Sequence, residues 1–181
     1  MLRDFDFGIQ RQRLRMVRYA DDIFIACQSR QECLDAFEVS KELLGKIGHR
    51  LPDIGAGKTE MLEPHDSVEF LGYEIAPTKS GAYDILIPEH AFDGLKQRLE
   101  IFYDFDRCQS KYRYIENAIL SLNNQLSGLS AAYAEAKNIE RFRSSLKDKG
   151  RNASEAVWSG VFGKTALRKL DPRRRSFLKL D

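Results

Sequence analysis

The sequence predicts an α+β fold in which short antiparallel β-hairpins with a packed helix precede a helical C-terminal half. The apolar runs Leu14–Tyr19 and Ile23–Cys27 flank a short polar turn, which is typical of a hairpin. An amphipathic helix is predicted directly after it, and from Pro88 onward apolar residues recur at helical spacing. With 181 residues, 43% of them hydrophobic, the chain can bury a core in one compact domain or two small ones.

The helix after the first hairpin has a clear start and a clear end. Ser29 and Glu32 have the spacing of a capping box, and Gly48 ends the periodic pattern. Between them an apolar stripe recurs at helical spacing, formed by Cys33, Leu34, Phe37, Leu44 and Ile47. We expect this stripe to cover one face of the sheet that contains the hairpin, with the helix serving a structural role.

The rest of the chain is predicted as a second hairpin and then helices. Val68–Ile75 and Tyr83–Ile87 alternate in polarity around a turn region at Pro77–Gly81. Gly128 and Gly150 then punctuate the helical half. The helices predicted there span Pro88–Tyr103, Tyr112–Leu126, Leu129–Leu146 and Ala153–Leu170.

Composition limits the possible classes of protein. No apolar run approaches the roughly 20 residues that span a bilayer, and the acidic residues near the N-terminus do not fit a signal peptide, so we expect a cytoplasmic protein without a membrane partner. The three cysteines lack the spacing of zinc sites or disulfide frameworks, which favours reduced thiols.

The net charge of +2 is unevenly distributed. Residues 1–20 carry +3 and residues 164–181 carry +5, whereas residues 21–163 carry −6. Clustered Lys and Arg can neutralise phosphates, as in nucleic-acid binding, although a solvated basic tail explains Arg173, Arg174 and Arg175 equally well.

Two adjacent carboxylates, Asp21 and Asp22, lie at the predicted tip of the first hairpin. Inside a strand neighbouring side chains diverge, whereas a turn can direct both toward one point. Carboxylates held that close repel each other unless a cation compensates, and carboxylate oxygens are ligands that Mg²⁺ prefers. The pair is therefore a candidate metal site, and a plain polar turn is the alternative, since Asp is a common turn residue.

Lys58 and Thr59 follow two glycines in a way that superficially suggests a phosphate-binding P-loop. The first glycine of that motif would fall at Pro52, and no helix is predicted after Thr59. We therefore reject a P-loop, and an exposed loop lysine remains one reading of Lys58.

The residues Arg18 to Asp22, with the apolar strands around them, resemble the YxDD signature of reverse transcriptases. Two further segments follow in the order that this family expects. They are Lys58-Thr59 and the segment Val68–Ile75, which reads VEFLGYEI. The chain thus resembles the palm and thumb portion of a bacterial reverse transcriptase of the retron, group II intron or defence-associated kind.

The resemblance implies specific roles for these residues. Asp21 would be the principal and Asp22 the supporting ligand of two Mg²⁺ ions about 4 Å apart. Lys58 would lie near the triphosphate and stabilise or protonate the leaving pyrophosphate. The residues implied to position primer and nucleic acid are Arg18, Tyr19, Ala20, Phe70, Leu71 and Gly72, although Phe70 and Leu71 could equally be core residues. The implied partners are an RNA template, a DNA primer and deoxynucleoside triphosphates.

The same resemblance divides the chain and predicts that it is incomplete. Residues 1–87 would form a partial palm, 88–171 a helical thumb and 172–181 a basic tail. The family needs a further upstream aspartate and fingers, which do not fit the residues before Tyr19, although Asp4 or Asp6 could substitute as a third ligand. A separate polypeptide would then supply the fingers and the aspartate. The alternative is a non-catalytic nucleic-acid-binding or interaction module derived from such an enzyme.

Overall fold

The computed structural model describes residues 2–178 and 180 and divides the chain into two compact units, the first ending at Leu71 and the second beginning at Gly72. Both helices and small antiparallel strands are present, which confirms the predicted α+β class. The elements of the first unit are α1 (Arg3–Arg11), β1 (Arg15–Tyr19), β2 (Asp22–Ala26), α2 (Arg30–Lys46) and β3 (Val68–Phe70).

The predicted first hairpin is confirmed as β1 paired antiparallel with β2. The register places Met16 opposite Ile25 and Val17 opposite Phe24. Because side chains alternate across a strand, Met16 and Ile25 lie on one face of the hairpin and Val17 and Phe24 on the other. Met16, Ile23 and Ile25 pack on the core of this unit, so the first face is the buried one, whereas Val17 is 56% exposed.

The core of the first unit lies between the hairpin and two helices. Its buried members are Phe5 and Ile9 of α1 and Leu44 of α2. Gly8 lets the helices approach closely, since a Cβ atom there would lie 2.6 Å from Cδ1 of Leu43. Helix α1 was not predicted from the sequence.

The predicted capping box of α2 is confirmed. The Glu32 amide donates to the Ser29 hydroxyl oxygen over 3.1 Å, and the Gln28 amide donates to the Glu32 carboxylate over 2.5 Å. These bonds satisfy backbone donors that the first turn of a helix leaves free. Ser29 therefore fixes where the chain leaves the hairpin and enters the helix.

The second unit begins with the hairpin β4 (Tyr73–Pro77) and β5 (Tyr83–Leu86), paired antiparallel with Ile75 opposite Ile85. The prediction of one strand over Val68–Ile75 is wrong, because β3 ends at Phe70. The chain bends at Leu71 and Gly72, whose φ angles of 54° and 79° are incompatible with an extended strand.

Eight helices follow within the described part of the second unit. They are α3 (Glu89–Asp93), α4 (Leu95–Arg98), α5 (Glu100–Tyr103), α6 (Phe105–Lys111), α7 (Ile115–Ala132), α8 (Ile139–Phe162), α9 (Lys164–Arg168) and α10 (Pro172–Phe177). The predicted breaks at Gly128 and Gly150 are wrong. Gly128 lies inside α7, and Gly150 lies inside α8, where a Cβ atom would meet Leu126 of α7 at 2.5 Å. Gly150 thus serves close helix packing instead of ending a helix.

The β4–β5 hairpin is tied to the connection between α7 and α8. The Asn138 side chain accepts from the Ile87 amide over 2.8 Å and donates to the Ile87 carbonyl over 3.0 Å. The Lys137 amide donates to the Ile85 carbonyl over 2.8 Å. Aromatic residues fill the adjoining core, in which Phe142 is fully buried. Within residues 2–178 and 180, every helix is too short or too polar to traverse a lipid bilayer.

Candidate metal-binding turn

The two adjacent carboxylates lie where β1 turns into β2. Tyr19, the last residue of β1, pairs with Asp22, the first of β2, so that Ala20 and Asp21 form a two-residue turn. By strand alternation Asp22 shares the face of Tyr19 and Val17, which is opposite to the buried face. Tyr19 is 66% exposed, so this end of the hairpin is open to solvent.

The carboxylates of Asp21 and Asp22 are both exposed. Among residues 2–178 and 180, neither side chain has a hydrogen bond or an ion pair. Mg²⁺ is commonly held by one or two carboxylates, with water and substrate phosphates completing its coordination shell. The donor set at this turn therefore fits magnesium in its chemistry.

Ala20 adopts a backbone conformation that is uncommon for a residue with a side chain. Its φ of 53° lies in the left-handed region, where a Cβ atom crowds the following carbonyl and glycine or asparagine is usual. Tight two-residue hairpin turns commonly require positive φ at the first central residue. The sequence thus places a somewhat strained residue directly before Asp21.

Arg18 connects this turn to helix α1. Its Nε and Nη2 atoms donate to the two carboxylate oxygens of Asp6 over 2.7 and 2.6 Å, and its Nη1 atom donates to the Ala20 carbonyl over 2.6 Å. The hydrogen bond from Arg18 lowers the pKa of Asp6, while partial burial opposes that shift. Arg18 lies on the buried face of the hairpin, opposite Ile23 in the register.

A third acidic ligand does not join the pair within the part of the chain that the structure describes. No group of three or more His, Cys, Asp or Glu side chains is arranged to hold a metal ion there. Asp6 is engaged by Arg18, and Asp4 is an exposed residue of α1. Asp6 already has a cationic partner, and a role of Asp4 or Asp6 as third ligand stays a prediction.

Phe70 packs against the hairpin, since its ring lies 5.7 Å from that of Phe24 in β2. Phe24 is on the same face as Asp22 by alternation. Leu71 is 45% exposed at the bend after β3. Gly72 begins the second unit, where a Cβ atom would lie 3.7 Å from the Tyr133 hydroxyl. A primer-positioning role for these three residues stays a prediction.

Lys58 is exposed in the connection between α2 and β3, which contains no helix. A short turn organises its neighbours, because the Gly55 amide donates to the Thr59 carbonyl over 2.8 Å. The structure thus agrees with rejection of a P-loop, in which a helix would begin at this point. No ion pair or hydrogen bond engages the Lys58 ammonium within the described ranges.

The family model described as "Reverse transcriptase (RNA-dependent DNA polymerase)" matches residues 1–75. Residues 1–75 are thus similar to reverse transcriptases. The matched segment contains the described residues of the first unit, including the turn, and ends inside β4. No curated protein sequence matches the chain significantly.

The contacts of Asp6 are the part of the site that sequence reasoning missed. The sequence suggests Asp6 only as a metal ligand, whereas in the structure it is the partner of Arg18. A signal for the pair was present in the alternation of β1, which places Arg18 on the same face as Met16, a half-buried residue that packs on the core. An arginine on that face requires an acceptor from the elements packed against it.

Proposed function

We propose that this chain contributes the Asp21–Asp22 turn to an RNA-directed DNA polymerase that performs two-metal nucleotidyl transfer. The observation that carries the proposal is a pair of exposed carboxylates at a hairpin turn inside the segment that matches the reverse transcriptase family. Neither carboxylate has a partner among the described residues. Mg²⁺ bound there would activate the primer 3′ hydroxyl and neutralise charge on the triphosphate.

The chain's own residues would bind and orient the substrates. Asp21 and Asp22 would hold the metal ions, and Lys58 would place a positive charge near the triphosphate. Tyr19 and Ala20 would lie beside the primer terminus. Base selection would come from pairing with an RNA template, while the protein would supply alignment and charge.

We further propose that the polymerase site is incomplete in this chain alone. Two carboxylates are few for two metal ions, and no third acidic side chain joins them in the described residues. A second polypeptide with an additional aspartate and fingers would complete the site. The assignment of residues 1–87 to a palm portion, 88–171 to a thumb and 172–181 to a basic tail, and the cytoplasmic location, remain predictions.

Metal binding tests the first step of this proposal in the full chain. Binding of Mn²⁺ can be measured by electron paramagnetic resonance. We expect the unmodified chain to bind Mn²⁺ and the Asp21→Asn variant to bind it more weakly. The matched control is Glu38→Gln, which neutralises an exposed carboxylate of α2 in the same unit. Equal Mn²⁺ affinity in the chain and in Asp21→Asn would refute the assignment of the turn.

Deoxynucleotide incorporation tests the chemistry. An oligo(dT) primer on a poly(rA) template would be extended by the chain together with any upstream gene product, and the Asp21→Asn variant would reduce extension by orders of magnitude. Substantial extension by the chain alone would contradict its incompleteness. Equal extension with and without the substitution would remove the catalytic role of Asp21.

A non-catalytic nucleic-acid-binding module is the second candidate, and it is favoured by the charge of the last helices. Five basic residues of α9, α10 and their connection are exposed, namely Lys164, Arg168, Lys169, Arg173 and Arg174. Such a cluster can displace counterions from phosphates. Binding of labelled primer–template in EDTA, with a steep salt dependence and no effect of Asp21→Asn, would favour this second candidate when incorporation is absent.

A further inference from the structure

The backbone of the turn that carries Asp21 is hydrogen-bonded by the side chain of Arg18. We propose that Arg18 is a positioning residue that fixes the backbone of the Ala20–Asp21 turn by bridging Asp6 and the Ala20 carbonyl. The consequence of this bridge for metal binding rests on the function proposed above. The bridge itself is a property of the fold and is testable separately.

The bridge uses the full geometry of a guanidinium group. Two parallel donors, Nε and Nη2, bind both oxygens of Asp6, and the remaining Nη1 binds the Ala20 carbonyl over 2.6 Å. A guanidinium is planar and presents its donors in a fixed fork, so binding of Asp6 determines the direction in which Nη1 points. The position of the carboxylate in α1 is thereby transmitted to the backbone of the turn.

Asp6 is a firm anchor because its helix is locked into the core. Phe5, directly before it, is 1% exposed, and Ile9, one turn later, is fully buried. Both pack in the cluster that also contains Leu44 of α2. Motion of Asp6 relative to the hairpin would therefore require the core of the first unit to open.

The Arg18–Asp6 pair is shielded more than the other ion pairs of this unit. Its side chains are 22% and 29% exposed, whereas those of the other pairs described in residues 2–71 are 42–82% exposed. Exposed pairs are screened by water and contribute little, but a shielded bidentate pair holds its geometry. Of these pairs, this one is therefore the best suited to position another group.

The Ala20 carbonyl is where such support is needed. Ala20 has a φ of 53°, a conformation that an alanine leaves readily unless its surroundings hold it. A charged donor on its carbonyl oxygen stabilises this peptide group, which is the one that joins Ala20 to Asp21. The orientation of that peptide group determines the position of the Asp21 Cβ atom. It also influences the position of Asp22, the next residue along the backbone.

The test replaces the planar guanidinium group of Arg18 by another group with the same positive charge. Lysine at position 18 has one ammonium group in place of a planar fork and cannot reproduce the three bonds in their geometry. In Arg18→Lys we expect the ¹⁵N order parameters of the amides of residues 20–22 to fall from about 0.85 to below about 0.6. Affinity for Mn²⁺ should weaken about 10-fold, the size typical of losing a supporting contact around a metal ligand.

Two further variants keep the test decisive. Arg15→Lys is the matched control, because Arg15 is an exposed residue of the same strand. This substitution should change neither the order parameters of residues 20–22 nor the affinity for Mn²⁺. Asp6→Asn keeps the size of the side chain but removes its charge and one of its two acceptor oxygens, and it should mobilise the turn even if Arg18→Lys fails to fold. Circular dichroism confirms that each variant retains its helices.

The outcomes separate this inference from the proposed function. Unchanged order parameters at residues 20–22 in Arg18→Lys and Asp6→Asn would overturn the positioning role. A mobile turn with unchanged Mn²⁺ affinity would overturn its link to metal binding. If the unmodified chain binds no Mn²⁺ that depends on Asp21, the proposed function fails, while the order parameters still decide whether Arg18 holds the turn.

Discussion

Replacing Ile9 by alanine should destabilise the first unit strongly, because Ile9 joins α1 to the hairpin and α2. Ile9 is fully buried and packs with Phe5 and Leu44. The substitution removes one methylene and two methyl groups, which at about 0.8 kcal/mol each amounts to about 2.4 kcal/mol. The higher helix propensity of alanine reduces this destabilisation by about 0.4 kcal/mol, and the cavity left behind increases it by about 1–2 kcal/mol. We expect the free energy of unfolding to fall by about 3–4 kcal/mol.

Urea unfolding, followed by far-ultraviolet and near-ultraviolet circular dichroism, measures this fall in the free energy of unfolding. The matched control is Phe7→Ala, on the exposed side of the same helix, where the ring is 47% exposed and should cost less than about 1.5 kcal/mol. A loss below about 1 kcal/mol for Ile9→Ala would mean that α1 is not docked on the core, and the anchor for Arg18 would then be lost as well.

Three further predictions concern single residues of the first unit. Ser29→Ala should lower the free energy of unfolding by about 1 kcal/mol, because it removes the N-cap of α2, and an unchanged urea midpoint would contradict this. Partial burial, with contributions from Cys33, raises the pKa of Cys27 to about 12, so at pH 8 iodoacetamide should alkylate it at least about tenfold more slowly than an ordinary cysteine; labelling at the ordinary rate, located by mass spectrometry, would refute the shielding of this thiol. The hydrogen bond from Arg18 lowers the pKa of Asp6 in the folded state, so the pair stabilises the fold fully above about pH 4 and this contribution is lost as the pH falls through the lowered value. The stability difference between the chain and Asp6→Asn should therefore shrink between pH 5 and more acidic conditions, as followed by urea midpoints, and a difference independent of pH would show that the charge of Asp6 is unimportant.

The first hairpin and α2 could be predicted because local signals there agree with tertiary structure. Apolar alternation defined β1 and β2, and a capping box with a helical stripe defined α2. The hydrogen bond from the Gln28 amide, just after the hairpin, to the Glu32 carboxylate shows that even the junction between these elements is encoded within a few residues. Patterns of this kind depend on neighbours in sequence, which a single chain displays directly.

The glycines of the second unit misled prediction because their role is tertiary. Gly150 avoids a clash with Leu126 on a different helix, and this reason for a glycine cannot be read from residues 148–152. Conversely, the bend at Leu71 and Gly72 was read as the interior of a strand, because alternation continues across it in the sequence. Hydrophobic periodicity reports which residues are buried, but it does not report where the backbone changes direction.

The carboxylate turn shows both the reach and the limit of sequence reasoning about a site. The pair Asp21 and Asp22 is visible in the sequence because both members are adjacent and at a turn. The ion pair between Asp6 and Arg18 is not visible in the sequence. It joins residues 12 positions apart, and the helix that carries Asp6 lacks a side-chain cap that would reveal it. Acidic residues near a candidate metal site therefore fall into two classes that look identical in sequence. One class is free to bind a cation, and the other is already neutralised by an arginine whose remaining donor holds the site in place.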